Sequence, residues 1–466
     1  YGANQWRAAA TQPPHLAAIC VWEGWHDNYR DGNRHGGILC SFRKNWQDMQ
    51  VKNVQHGVGQ RGPVSKVTGE LVCGPDTLDE SVLAQRRVPM WADLSRNHLD
   101  GSYYKERTPV LEDIEVPLLS CGNWGGHGLH NRGNVEGFVR AGSKHKWLEM
   151  HGGAHWAGYY TDYGVELQKR FFDHYLKGEQ NGWDSKQPKV QLQIRHVDRF
   201  VLRHEHEWPI ARTQWTPMHL DVHGMRMGDQ PPAQQGKVSY LPLEAGLTFH
   251  SKPMAQDTEI TGPMALKLFI SSASKDADVF AVFRVFDPQG VEVVFQGALD
   301  PHTPIGQGWL RASHRKLDLK LSAPHRPYHT HDQEQPMQPG TVYEVDVEVW
   351  PTCIVLPKGY RLALTVRGKD YVYPGGPSKG LETLGTQWHG CGPFVHNDPR
   401  DRPASRIGRL PGGAAVRLHR PAAQGQERQG RHPAIDGAHH GRAVGEQHPA
   451  AARQREGAPR IADGAE

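Results

Sequence analysis

Over its first 190 residues the chain alternates short apolar runs with polar, glycine-rich loops. Residues 16–22 form one such run; it ends at Glu23-Gly24, and the loop beyond carries His26, Asp27, Tyr29 and Arg30. A short run that is apolar on both faces predicts a buried parallel strand. Residues 116–122 repeat the pattern and open into Asn123-Trp124-Gly125-Gly126-His127-Gly128. Residues 146–150 do so again and end in His151-Gly152-Gly153-Ala154-His155-Trp156. Helices are predicted over 134–141 and 165–176, the second with Leu167, Phe171, Phe172 and Tyr175 on one face. Residues 38–108 lack alternation and carry amphipathic patches, which predicts a mostly helical insertion. Strand and helix in alternation, with polar loops at the strands' carboxyl ends, is α/β organisation, and its sites belong on those loops.

Near residue 190 the period changes to two. Residues 190–194, 265–270, 280–285, 343–349 and 361–366 alternate apolar with polar, and Asp287-Pro288-Gln289-Gly290 is a turn between two such runs. Many short strands at this spacing predict a β-sandwich or jelly roll over 190–400, after a partial α/β domain over 1–185. From 401 the texture changes again. Residues 402–466 contain no Phe, Tyr, Trp, Lys or Met and are crowded with Arg, Ala, Gly, Pro, Gln and His. That composition predicts a disordered tail, or a stretch translated in the wrong frame.

Charge narrows the function classes. The chain has 466 residues and a formal charge of +4, but the tail holds 11 Arg against 6 acidic residues, leaving 43 Lys and Arg against 44 Asp and Glu elsewhere. The body therefore has no electrostatic footprint for nucleic acid. The six cysteines form no C-x-x-C pair, and Cys20 and Cys121 sit inside apolar runs as small core residues. No apolar run is long enough to span a membrane. Self-association and compartment are left open.

The first residues carry the sharpest chemical hint. Tyr1-Gly2, followed by small Ala3, Ala8, Ala9 and Ala10 around Gln5 and Trp6, fits the second half of a G-x-S-x-G nucleophile elbow. If Gly2 is the closing glycine, the serine nucleophile lies just upstream of Tyr1.

Taken in order, Tyr1-Gly2-Ala3-Asn4-Gln5-Trp6, Trp22-Glu23-Gly24-Trp25 through Arg30, Val116-Pro117-Leu118-Leu119, Asn123-Trp124-Gly125-Gly126, His151 to Trp156 and Phe171 to Gly178 resemble the cocaine-esterase and X-Pro dipeptidyl-peptidase family of serine hydrolases. Thr261-Gly262-Pro263, Asp276-Ala277-Asp278 and residues 343–352 extend the resemblance to about residue 400. The resemblance implies an α/β-hydrolase domain with a helical cap, then a galactose-binding-like jelly roll that walls the active site. It implies ester or amide cleavage of a small molecule or short peptide through an acyl-enzyme, with no cofactor. An α-amino-acid ester hydrolase or glutaryl-type acylase is the alternative, and a catalytically dead chain with a ligand-binding jelly roll is a third reading.

In that family pattern His155 is the general base. His151, nearer the strand end, fits the role less well. The family's usual acid position falls on Gly126, which has no carboxylate. Glu23, at the end of the preceding strand, is the expected substitute, with Asp27 and then Glu136 as alternatives. The oxyanion hole implied by the resemblance uses a backbone N–H beside the serine and an upstream tyrosine. Trp25, Trp124 and Trp156 are expected to line the acyl pocket, while Trp22 fits the core as well as the site. His127, His130, His151 and His155 lack the spacing of a metal motif, so no metal is expected.

Overall fold

The computed structural model describes residues 2–371 and 373, together with the backbone of 407–408 and 415–421. Helix α1 (Gly2–Ala10) leads into strand β1 (Ile19–Trp22). A long excursion of short helical segments, among them Phe42–Gln47, Glu80–Gln85, Met90–Arg96 and Ser102–Lys105, separates β1 from β2 (Leu118–Asn123). Helix α2 (Asn131–Arg140) connects to β3 (Lys146–His151), and α3 (Asp162–Lys177) follows.

The strands pair in parallel in the order β1, β2, β3, with Ile19 opposite Leu118 and Leu118 opposite Lys146. Period-two alternation splits their side chains between two cores. Ile19, Val21 and Leu118 join Trp6 and Ala9 of α1 on one face. Cys20, Leu119, Cys121 and Trp147 meet Leu167 and Phe171 of α3 and Trp183 on the other. Burial of each large aromatic contributes roughly 1.5–3 kcal/mol. Helix α3 forms where its sequence places both ends: Thr161 accepts the N–H of Gly164 as N-cap, and Gly178, at φ 72°, closes the C-terminus in the left-handed region.

The change of period at 190 is not the change of sheet. Strand β4 (Val190–Arg195) pairs in parallel with β3, and β5 (Phe200–Glu205) adds antiparallel at the edge. These strands complete the first sheet, so the second begins near Thr213 instead of 190. Alternation misleads here because Gln191 and Gln193, though polar, are buried.

The second sheet is β-rich and curled. Its centre is the long pair β6 (Thr258–Ser272) and β7 (Tyr343–Leu356), with a register shift between Gly262 and Met264. Asp278–Phe286 lies between Gly306–Arg311 and Arg361–Arg367. Part of the segment expected to be disordered contributes: Ala415–Pro421 pairs with both Thr213–Asp221 and β6 and closes the sheet on itself. The remainder of 401–466 lies outside the described residues.

Buried charge joins the two sheets. Arg195, at the end of β4, donates to the carbonyls of Cys353 (2.7 Å) and Ile305 (3.2 Å) and to Thr352 Oγ1 (3.1 Å). Arg132 of α2 bridges Asp31 and Glu348, each at 2.8 Å. No described helix is long and apolar enough to cross a membrane.

Candidate active site

Three strands end at the same edge of the first sheet, and each delivers a polar side chain. Glu23 follows β1, Asn123 ends β2, and His151 ends β3, with His155 one turn further along. Glu23 is fully buried and sits at φ 46°, a left-handed conformation that costs a non-glycine residue about 1 kcal/mol or more. Its backbone is held there by a 2.7 Å hydrogen bond from its N–H to the Cys121 carbonyl.

Glu23 Oε2 lies 2.6 Å from His155 Nδ1. Oε1 faces His151 Nε2 at 3.1 Å and accepts from Asn123 Nδ2 at 3.2 Å. The Asn123 amide also donates to the Gly153 carbonyl (2.9 Å), and its Oδ1 accepts the N–H of Gly125 (2.8 Å), so one residue joins all three strand ends. Burial alone would raise the carboxyl of Glu23, but hydrogen bonds from His130, His151 and His155 outweigh it and hold the group well below the usual carboxylate range. Glu23 is therefore ionised at neutral pH.

His155 is 37% exposed, and with Nδ1 committed to Glu23 its Nε2 is left for another partner. The ring of His130 stacks on it at 4.9 Å, and His130 Nδ1 stands 3.5 Å from Glu23 Oε2. Burial pushes the His130 imidazole down to about 4, so it is neutral. Glu23, His130 and His155 bring ligand-type atoms within 4.8 Å of one another. The 2.6 Å Glu23–His155 contact already uses two of those atoms in a hydrogen bond.

Of the other anticipated residues, Trp156 and Trp22 lie beside the histidines and the rest fall elsewhere. Asp27 accepts the N–H groups of Tyr29 and Arg30 and pairs with the Arg30 guanidinium at 2.8 Å. Glu136 is paired with Arg326. Trp156 is exposed and lies edge-on to His155 at 6.1 Å. Trp124 is fully buried, with its N–H on the Gln193 carbonyl and its ring near Trp208, and so packs the core. Trp25 packs with Ile38, Phe42 and Leu129 under the Arg43 guanidinium. Trp22 stacks on His151 at 5.0 Å. Sequence reasoning missed Asn123 and Glu149. The available signal for Glu149 was a lone carboxylate in the middle of a buried strand, a position that requires a partner.

Helix α1 points its N-terminus at this cluster. A Cβ on Gly2 would lie 2.7 Å from Gly24 Cα, and a Cβ on Gly24 would lie 2.6 Å from the Gly2 carbonyl carbon. Only two glycines permit that crossing, and Trp6 Nε1 fastens it by donating to the Gly24 carbonyl at 2.9 Å. The second sheet also reaches the site: the His155 N–H donates to the Ala298 carbonyl (2.7 Å), and the Ala298 N–H donates to the Gly125 carbonyl (3.1 Å).

Comparison with known proteins identifies the family and the fold. Residues 1–157 match the X-Pro dipeptidyl-peptidase (S15 family) model, and residues 181–388 match the X-Pro dipeptidyl-peptidase C-terminal non-catalytic domain. A CocE/NonD family hydrolase from Staphylococcus aureus superposes with a TM-score of 0.75 at 28% identity, covering 90% of this chain and 70% of that one. An aminopeptidase from a marine sediment archaeon (Thaumarchaeota archaeon) shares the fold, with a TM-score of 0.62 at 12% identity over 90% of this chain and 75% of that one. The cocaine esterase of Rhodococcus sp. is 21% identical over 46% of this chain and 40% of its own length. The chain spans between 35% and 50% of the length of the curated relatives it matches. With both halves matched in order and the fold shared along its length, the chain belongs to the X-Pro dipeptidyl-peptidase and CocE/NonD family of α/β hydrolases.

Proposed function

We propose that the chain forms the base-and-acid side of a serine hydrolase that cleaves an ester or amide through an acyl-enzyme. The observation that carries this reading is the 2.6 Å pair of buried Glu23 and accessible His155 at the carboxyl end of the sheet. In the proposal the nucleophile is a serine immediately before Tyr1, delivered by the crossing of α1 over Gly24. His155 Nε2 takes the serine proton as the acyl carbonyl is attacked and returns it to the leaving group. Glu23 fixes the tautomer with the proton on Nδ1 and stabilises the imidazolium that forms. The acid comes from β1, which fits a family position, Gly126, that carries no carboxylate.

The test uses the full-length protein with a serine-reactive phosphonate and a p-nitrophenyl acyl ester. Labelling of the serine before Tyr1, lost in His155→Ala together with ester turnover, is the expected result. No labelling there, or labelling unaffected by His155→Ala, would overturn the reading.

A further inference from the structure

His151 occupies a setting that the hydrolase mechanism above does not use. Its Nδ1 lies 2.7 Å from Glu149 Oε2 and its Nε2 lies 3.1 Å from Glu23 Oε1. All three side chains are buried, with 1% or less of each exposed. A carboxylate only accepts hydrogen bonds, so a neutral imidazole would aim one bare lone pair at an anionic oxygen. We infer that His151 is a standing imidazolium, held between Glu149 and Glu23 as a buried carboxylate–imidazolium–carboxylate chain, and that it positions the acid of the Glu23–His155 pair. The positioning role rests on the hydrolase reading; the charge state does not.

The surroundings agree with a cation. The Trp22 indole from β1 stacks on the ring at 5.0 Å and 28°, presenting its electron-rich face. The neighbours on the remaining elements bring no competing charge. From α3, Tyr163 donates to Glu149 Oε1 at 3.4 Å, and burial with the Glu149 charge holds its phenol protonated. From β2, burial and Cys20 keep the Cys121 thiol protonated, and Asn123 is an amide. His130, on the loop before α2, is neutral, and His155 lies on the far side of Glu23. Burial works against the charge on His151, but Glu149 and then Glu23 outweigh it and hold the ring at about 10.

The consequence for the acid is geometric and electrostatic. With Oε1 occupied by His151 and Asn123, the carboxylate cannot rotate, and Oε2 is left facing His155. The imidazolium also reduces the charge beside His155 from two negatives to one.

Two measurements on the full-length protein decide this. In nitrogen-15 histidine spectra, the resonance lost in His151→Gln is expected to show both ring nitrogens protonated, without titrating between about pH 6 and about pH 9. A singly protonated His151, with the proton instead on Glu149, would overturn the inference whatever the enzyme's activity. In the pH profile of kcat/KM, His151→Gln is expected to move the acidic limb upward by about one unit. The double variant His151→Gln/Glu149→Gln restores the net charge and is expected to return the limb. A lowered plateau with an unmoved limb would reduce His151 to a packing role. If the phosphonate labels no serine, the hydrolase reading fails and the spectra alone judge the charge state.

Discussion

Glu23 concentrates the chemistry at the residue scale. Its backbone sits at φ 46° and its carboxylate contacts three histidines and an asparagine, more partners than packing alone requires. In the full-length enzyme, Glu23→Gln is expected to lower kcat by roughly 10³–10⁴-fold, because the amide no longer enforces the reactive tautomer of His155. Its circular dichroism spectrum should match that of the parent. A loss below tenfold would remove Glu23 from the mechanism. This residue was legible in the sequence because a carboxylate stood where a buried strand had to end. Asp27 stood four positions on and looked similar; it pairs with Arg30 where Glu23 pairs with His155, and pairing between side chains leaves no mark in a single sequence. Glu149 was hidden for the opposite reason: alternate positions of a central strand are read as core, and here one core position is ionic.

At the scale of elements, the site is made by loops that touch through glycine. A Cβ on Gly125 would fall 2.5 Å from Gly297 Cα, so the loop after β2 and a loop of the second sheet meet backbone to backbone. Gly125→Ala should therefore cost about 1–3 kcal/mol, seen as a lowered Tm, and should loosen the Ala298 carbonyl from the His155 N–H. Equal stability with unchanged turnover would contradict that account. Strands β1 to β3 and helix α3 could be read from periodicity, since each has an apolar run or face that one core demands. Strands β4 and β5 could not be assigned to a sheet, because parallel pairing with β3 is decided by a partner far away in sequence.

For the whole molecule, buried histidines set the response to pH. Burial holds His35 and His130 at about 4 and His329 at about 3, all below the value of about 6.5 expected on unfolding. Between those limits the unfolded chain binds more protons, so stability is present above pH 6.5 and is lost as pH falls toward 4. The slope is about 1.4 kcal/mol per pH unit for each histidine in its window. His151 acts with the other sign: its stabilisation is full below 6.5 and is lost as pH rises through about 10. A Tm profile should thus peak near neutrality, and His329→Leu should flatten its acid side. A flat profile between about pH 4.5 and 6.5 would refute the acid-side argument.

The hydrogen bonds that run from Gly125 through Ala298 to His155 also bear on how such proteins diversify. The proposed base, His155, is fastened by a carbonyl from the module called non-catalytic in its family description. Swapping that module between relatives would exchange the clasp along with the wall. Chimeras are expected to keep turnover only where the incoming loop supplies a glycine and a carbonyl in the same register.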